Sequence, residues 1–308
     1  KSLTTFMSIA SLIREIGRGR DHARDLSREQ AQELMGQILD GTVSDLELGA
    51  FCVAMRIKGE TAQELAGFID AAQSRTQRLH AQAPCIVIPS YNGARKLPLM
   101  TPLLAGLLAQ QGCSVLIHGA QTEDSRIACE SVMRALNWPV LQTLRPIAAS
   151  EVVFVPTHLL SPGLQRLLDV RRTIGLRNAG HSLVKLLLPL MQPGLLISSY
   201  THPEYATSMS QAFTLTETAA LLLRGTEGES VADPRRQPQI DLVMQGQVKT
   251  VCEAQVGPLS TVPAMPEQID ADATARFIEQ ALDTPSMVPA SIQKQAALAA
   301  QWARKIQS

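Results

Sequence analysis

Cys85-Ile86-Val87-Ile88, followed by Pro89-Ser90-Tyr91-Asn92-Gly93-Ala94-Arg95-Lys96, decides the fold. The apolar quartet reads as a short buried strand, and the turn-rich octet as the loop at its carboxyl end. A helix over Thr101–Gln111 comes next, then a second strand, Ser114–Ile117, ending at His118-Gly119, then a second helix over Ser125–Leu136. Strand, helix, strand, helix at this spacing implies right-handed crossovers and a parallel sheet. Ligands of such sheets sit at the carboxyl ends of the strands. That places Ser90–Lys96 and His118–Glu123 beside a cleft. Its candidate lining is Ser90, Tyr91, Asn92, Gly93, His118 and Gly119, with Arg95 and Lys96 as its positive rim.

Upstream of the first strand the pattern is helical. Ser27, with Glu29 and Gln30, caps a helix through Leu39 that Gly41 stops, and Ser44 or Asp45 starts another through Met55. Lys58-Gly59-Glu60-Thr61 is a turn, with Thr61 as cap and Glu64 at capping-box spacing. Arg14, Arg18, Arg20 and Arg24 form a basic cluster with His22 ahead of these helices. Downstream, Val152–Val155, Leu195–Ser199 and Ala219–Leu223 read as further strands, Pro162–Val170 and Ala206–Leu215 as helices. The expected architecture is α/β: a small helical N-terminal domain, residues 1–80, and a larger α/β domain, residues 81–308, with a mostly parallel central sheet.

The 308 residues, 45% of them apolar, suffice for a sizeable core, and the 4% aromatic content argues against a stacking platform for single strands. No apolar run reaches membrane-spanning length and no signal peptide is evident, so a cytoplasmic protein is expected. Cys52, Cys85, Cys113, Cys129 and Cys252 are widely spaced and fit reduced core thiols better than bridges or a metal site.

Charge is unevenly spread in a chain of zero net charge. Between Ser161 and Lys185 stand Arg166, Arg171, Arg172, Arg177 and Lys185 against Asp169 alone, whereas Glu253–Asp283 carries six acids against Arg276 alone. A helix over Leu176–Leu188 would align Arg177, His181 and Lys185 on one face, a stripe suited to phosphate oxygens. A solvated face with snorkelling arginines is the alternative. The phosphate contacts expected on the first reading are Arg171, Arg172, Arg177, His181 and Lys185, with Arg95 and Lys96 across the cleft; the resemblance described below implies that these phosphates belong to DNA or RNA.

This order of parts resembles the anthranilate phosphoribosyltransferase superfamily, glycosyltransferase family 3, with the nucleoside phosphorylase class II architecture. Leu26–Ala72 looks like its helical domain, and Arg171-x-x-Ile174-Gly175-x-Arg177 matches its R-x-x-L-G-x-R. The resemblance implies that helices from about 162–188 complete the helical domain and that two copies dimerise through it. The catalytic motifs depart. The phosphate loop G-T-G-G-D falls on Pro89-Ser90-Tyr91-Asn92-Gly93, K-H-G-N-R on Ile117-His118-Gly119-Ala120-Gln121, and the magnesium-holding D-E pair on Ser230-Val231, with Glu227 and Glu229 nearby. Missing glycines leave few amides to cradle a pyrophosphate, and without the carboxylate pair magnesium cannot easily shield one. No cofactor is therefore expected. Pro-Ser-Tyr-Asn-Gly-Ala-Arg-Lys and Arg-Asn-Ala-Gly-His-Ser-Leu-Val-Lys are similar to the YbiB-type branch, whose resemblance implies nucleic-acid binding with weak sequence preference. The alternative is a phosphoribosyl or glycosyl transferase of altered substrate, using His118, Arg171 and Glu227 or Glu229.

Overall fold

Three of the four N-terminal helices begin where the sequence places their caps. After α1 (Ala10–Ile16) come α2 (Arg28–Asp40), α3 (Asp45–Lys58) and α4 (Ala62–Gln73), opened by complete capping boxes at Ser27/Gln30, Ser44/Glu47 and Thr61/Glu64. Glu64 also ties the unit together. Its buried carboxylate accepts from the Leu26 amide at 3.0 Å and pairs with Lys58 Nζ at 2.7 Å. The structure, a computed structural model, describes residues 9–19, 21–259, 261–262 and 264–307. Arg20 of the upstream basic cluster lies outside the described residues; Arg18 and Arg24 of that cluster both pair with Glu15.

The α/β part then runs β1 (Cys85–Ser90), α5 (Thr101–Gln110), β2 (Ser114–Gly119), α6 (Cys129–Ala135), β3 (Val152–Pro156), α7 (Thr157–Leu160), α8 (Pro162–Ile174), α9 (Ala179–Leu183), β4 (Leu195–Tyr200), α10 (Pro203–Leu215), β5 (Ala220–Arg224), β6 (Ile240–Met244), β7 (Gln247–Cys252), α11 (Ala271–Asp283) and α12 (Ala290–Gln307). The sheet order is β3-β2-β1-β4-β5-β6-β7, parallel from β3 through β5 and antiparallel for the last two strands. The strand order reverses between β1 and β4, so the loops after these strands diverge and open a crevice.

Alternation along the strands builds two cores. Ile86, Ile88, Val115, Ile117, Leu195, Ile197, Leu221 and Leu223 face α5, α6, α11 and α12. Cys85, Val87, Leu116, Leu196, Ala220 and Leu222 face the other way, into one continuous core with the N-terminal helices, α8 and α9. Gly163 at the start of α8 lies so close to the Leu39 carbonyl that a Cβ would overlap it, and Arg166 donates to that carbonyl at 2.8 Å. The basic strand-to-helix segment is thereby held beside the helical unit.

Two expectations are corrected here. The helix read over Ser125–Leu136 is confined to Cys129–Ala135, since Ala94 and Ile127 exchange backbone hydrogen bonds ahead of it. The helix read over Leu176–Leu188 is broken: Gly175 closes α8 at φ 71°, Asn178 caps α9, and a 3-10 turn, Val184–Leu186, follows. Helix α11 occupies sequence read only for its charge, and the hairpin β6–β7 and helix α12 occupy sequence in which the reading places no element. Among the described residues no helix is long and apolar enough to cross a membrane.

Candidate nucleic-acid interface

The loop after β1 is a nest of backbone donors, and two glutamates fill it. Gly93, at φ 69° and against the Ile127 carbonyl, turns the chain where a Cβ would collide. Asn92 and Gly93 both donate their amides to Glu229 Oε1 at 2.8 Å, while Ser90 Oγ and Thr101 Oγ1 donate to its Oε2. Glu227 accepts from the amides of Arg95, Lys96 and Leu97 at 3.0–3.2 Å. The sequence argument that lost glycines remove the amide cradle is thus overturned: the amides converge, but on the chain's own carboxylates.

The turn carrying those carboxylates is clamped from the sheet side. Lys185 Nζ donates to the Gly228 carbonyl at 2.8 Å and Ser199 Oγ to the same oxygen at 3.0 Å. Gly228, at φ 88°, packs so tightly on the Asn92 side chain that no Cβ fits. The sequence reading assigns Lys185 to phosphate; in the fold one of its ammonium donors holds this turn while the residue also lines the neighbouring cleft. Burial lowers its pKa to about 8 against an upward pull from Glu229.

Tyr91 and His118 do not line an open cleft. Both are buried, and Thr157 Oγ1 donates to the Tyr91 hydroxyl at 2.9 Å, which meets His118 Nδ1 at 2.7 Å. Burial holds the His118 imidazole down at about 3 and pushes the Tyr91 hydroxyl up. Gly119, whose Cβ would strike the Ser90 carbonyl, serves close packing of β2 on β1. The transferase constellation of His118, Arg171 and Glu227 or Glu229 is therefore not assembled around a common space.

The arginines behave differently. Arg171 donates to Glu123 at 3.0 Å, Arg126 approaches the same carboxylate at 3.2 Å and Arg177 at 4.0 Å. Hydrogen bonding to Arg171 and the nearby Arg126 and Arg177 hold Glu123 below the usual carboxylate range. Arg177 is itself pulled below the ordinary arginine value by burial and by repulsion from Arg171 and Arg126. Arg171 Nη1 is buried with no hydrogen-bond partner. Arg172 is 55% exposed, donates to the Gln121 carbonyl at 3.3 Å and stands 3.5 Å from Asp124 and 4.0 Å from Asp169. Arg95 and Lys96 keep exposed side chains while their amides hold Glu227.

Although no continuous helix aligns them, Arg177, His181 and Lys185 still meet in one cleft of 410 Å³ between the helical unit and the sheet, with Arg56, Tyr200, His202 and Tyr205 opposite. His181 Nδ1 lies 3.3 Å from both the backbone amide and the side-chain oxygen of Asn178, and its Nε2 is buried with no hydrogen-bond partner. Burial, then Arg177 and Arg171, lower its pKa to about 3. Arg56, whose Nη1 donates to the Arg177 carbonyl at 3.1 Å, was missed in the sequence. It comes from α3, far away in the chain, and only the return of α8 and α9 brings it here. His202, the N-cap of α10, also lines the cleft.

Residues 10–76 match the helical bundle domain of the glycosyl transferase family. The uncharacterized protein YbiB of Escherichia coli (strain K12) is 39% identical over 299 residues, covering 94% of this chain and 93% of YbiB. Anthranilate phosphoribosyltransferase of Symbiobacterium thermophilum is 28% identical over 226 residues, 71% of this chain and 64% of the enzyme. Among solved structures, anthranilate phosphoribosyltransferase of Thermus thermophilus superposes with TM-score 0.63 at 18% identity, covering 96% of this chain and 99% of that one. The Saccharomyces cerevisiae enzyme in complex with PRPP and Mg gives 0.66 at 12% identity, over 97% and 91%. The chain belongs to the anthranilate phosphoribosyltransferase-like superfamily and, within it, to the family of YbiB.

Proposed function

We propose that this protein binds nucleic acid, DNA or RNA, with weak sequence preference, through the arginine cluster gathered on Glu123, whose Arg177 reaches into the cleft between its helical unit and its sheet. The observation that carries this reading is like-charge crowding: Arg126, Arg171 and Arg177 gather on the single carboxylate of Glu123, with Arg56 and Arg172 beside them. Such a cluster is relieved by an anionic partner, and planar guanidiniums suit phosphate oxygens. Phosphate contacts position a duplex without reading it, which accounts for the weak preference. The glutamate-filled nest argues against phosphoribosyl transfer. The second reading, a transferase of altered substrate, is favoured by the 410 Å³ cleft and its His181 and His202. Titrating the full chain with unrelated duplexes, and separately with phosphoribosyl pyrophosphate plus magnesium, distinguishes them. Binding of the duplexes alone is expected; turnover of phosphoribosyl pyrophosphate with anthranilate would overturn the reading.

The protein is further proposed to act as a homodimer through α3. Leu46, Ala50, Val53 and Ile57 recur at helical spacing on its outer face, and Leu46 is 84% and Ile57 57% exposed. A second copy burying this stripe against itself makes an isologous contact. Leu46→Arg/Ile57→Arg is expected to convert a dimeric mass at micromolar concentration into a monomeric one by light scattering; a wild-type monomer would contradict the proposal.

A further inference from the structure

We propose that the cleft between the helical unit and the sheet is a covalent site for a phosphorylated aldehyde, with Lys185 Nζ as the nucleophile that holds it as an imine. A comparison of two lysines shows why Lys185 suits this role. Lys58 Nζ lies 2.7 Å from both Asp25 and Glu64, and burial, which alone would lower its pKa, is outweighed by those two carboxylates. Lys185 has no such partner: its Nζ donates to the neutral Gly228 carbonyl at 2.8 Å, and among the described residues it makes no ion pair. Burial outweighs the pull of the more distant Glu229, Arg177 adds repulsion, and the pKa falls to about 8. Near that pH about half of the amine is neutral, against under about one part in a hundred for an ordinary lysine. A desolvated lysine beside another cation, at the wall of a cleft, is the arrangement that makes an amine nucleophilic.

A neutral amine carries two N–H groups and one lone pair. The Gly228 carbonyl accepts one N–H, and the lone pair stays free for an electrophile. Attack on an aldehyde carbon forms the N–C bond and moves the C=O electron pair onto oxygen, which takes up the proton that Nζ releases. The carbinolamine then loses its hydroxyl with one further proton, as water, and the C=N bond forms; nothing is oxidised or reduced. The protonated imine keeps one N–H for the Gly228 carbonyl, so the same oxygen holds the amine before the reaction and the adduct after it. His181 Nε2, buried without a partner on a residue of the same cleft, is a polar atom left free to bond the departing hydroxyl.

The cleft also sets the class of aldehyde. Arg56 and Arg177 line it together with Lys185 and suit a phosphate, the hydroxyls of Ser182 and Thr201 suit a sugar, and 410 Å³ lies within the range of small-molecule sites. Two sources present this chemistry: the open-chain form of a free sugar phosphate, and the deoxyribose of an abasic site in a nucleic acid. Only the second rests on the nucleic-acid reading.

The test incubates the full chain at pH 8 with free 2-deoxyribose 5-phosphate, or with a duplex carrying one abasic deoxyribose, reduces any imine with cyanoborohydride and maps the adduct by peptide mass spectrometry. With at least one probe, labelling of Lys185 is expected to exceed that of the exposed Lys249 and Lys294 at least roughly tenfold, from its larger neutral fraction. It is expected to vanish in Lys185→Arg, which keeps a cationic donor for the Gly228 carbonyl, and to persist in Lys249→Arg. Labelling by the sugar phosphate alone assigns the site to a free ligand, and labelling by the duplex alone assigns it to abasic nucleic acid. The inference is overturned if neither probe gives an adduct at Lys185, if the adduct spreads evenly over the exposed lysines, or if folded Lys185→Arg labels as wild type does. Mapping of the wild type decides even if that variant does not fold. Titration of the same protein with an intact duplex is a separate readout: loss of duplex binding with retained sugar-phosphate labelling would sink the proposed function and leave this site standing.

Discussion

Glu229→Ala is expected to lower the unfolding free energy by about 3–5 kcal/mol, among the largest single-residue effects in this chain. The carboxylate is buried and receives two amides and two hydroxyls, all from Ser90–Gly93 and Thr101. Truncation orphans these donors in an interior that no longer offers an acceptor. Glu229→Gln retains an oxygen for the two amides and presents an N–H₂ that the hydroxyl oxygens of Ser90 and Thr101 can accept, so a loss of only about 1–2 kcal/mol is expected. Urea denaturation of the three proteins at neutral pH checks the order. An alanine variant as stable as wild type would mean that these four donors find other partners and that Glu229 does not hold the loop.

The second large effect is acid sensitivity. His118 and His181 both have pKa values lowered to about 3, chiefly by burial. Below the ordinary histidine value of about 6.5 the unfolded chain takes up protons that the folded chain refuses. Stability is therefore retained above that value and lost as pH falls from about 6.5 toward 3, by roughly 1.4 kcal/mol per pH unit for each histidine. His118→Gln removes one of them. Between pH 6 and 4 its stability is expected to fall less steeply than that of wild type, by about that amount per unit, whatever its stability at neutral pH. Parallel curves would show that His118 is protonated in the fold.

The contrast between what the sequence revealed and what it hid follows the range of the interactions. Capping boxes at Ser27, Ser44 and Thr61 join residues three apart, and the strands Cys85–Ser90 and Ser114–Gly119 announce themselves by short apolar runs, so the helical unit and the parallel sheet were legible. Glu229 and Glu227 find their partners more than a hundred residues away, where no spacing rule reaches, and the left-handed backbone at Glu227 lacks a glycine to signal it. The break in the basic helix was signalled: Gly175 and Asn178 are a stop and a start, but the charge periodicity across them masked both. Counting acids likewise obscured α11, whose Ala273, Phe277, Ile278 and Ala281 mark a buried face. Arg171 and Arg177 were found from composition, whereas Glu123, which organises them, was read only as part of a loop.

The most direct measurement of the nucleic-acid reading is the salt dependence of binding to unrelated duplexes, compared between wild type and Arg172→Ala/Arg177→Ala. Each phosphate neutralised by an arginine releases counterions, and log affinity falls with log salt by about 0.9 per contact on duplex DNA. Both side chains are at least 36% exposed, and neither makes an ion pair closer than 3.5 Å, so the variant is expected to fold as wild type does. The account predicts weaker binding to every sequence alike and a slope shallower by roughly two units. A folded variant that keeps the wild-type affinity and slope would contradict it.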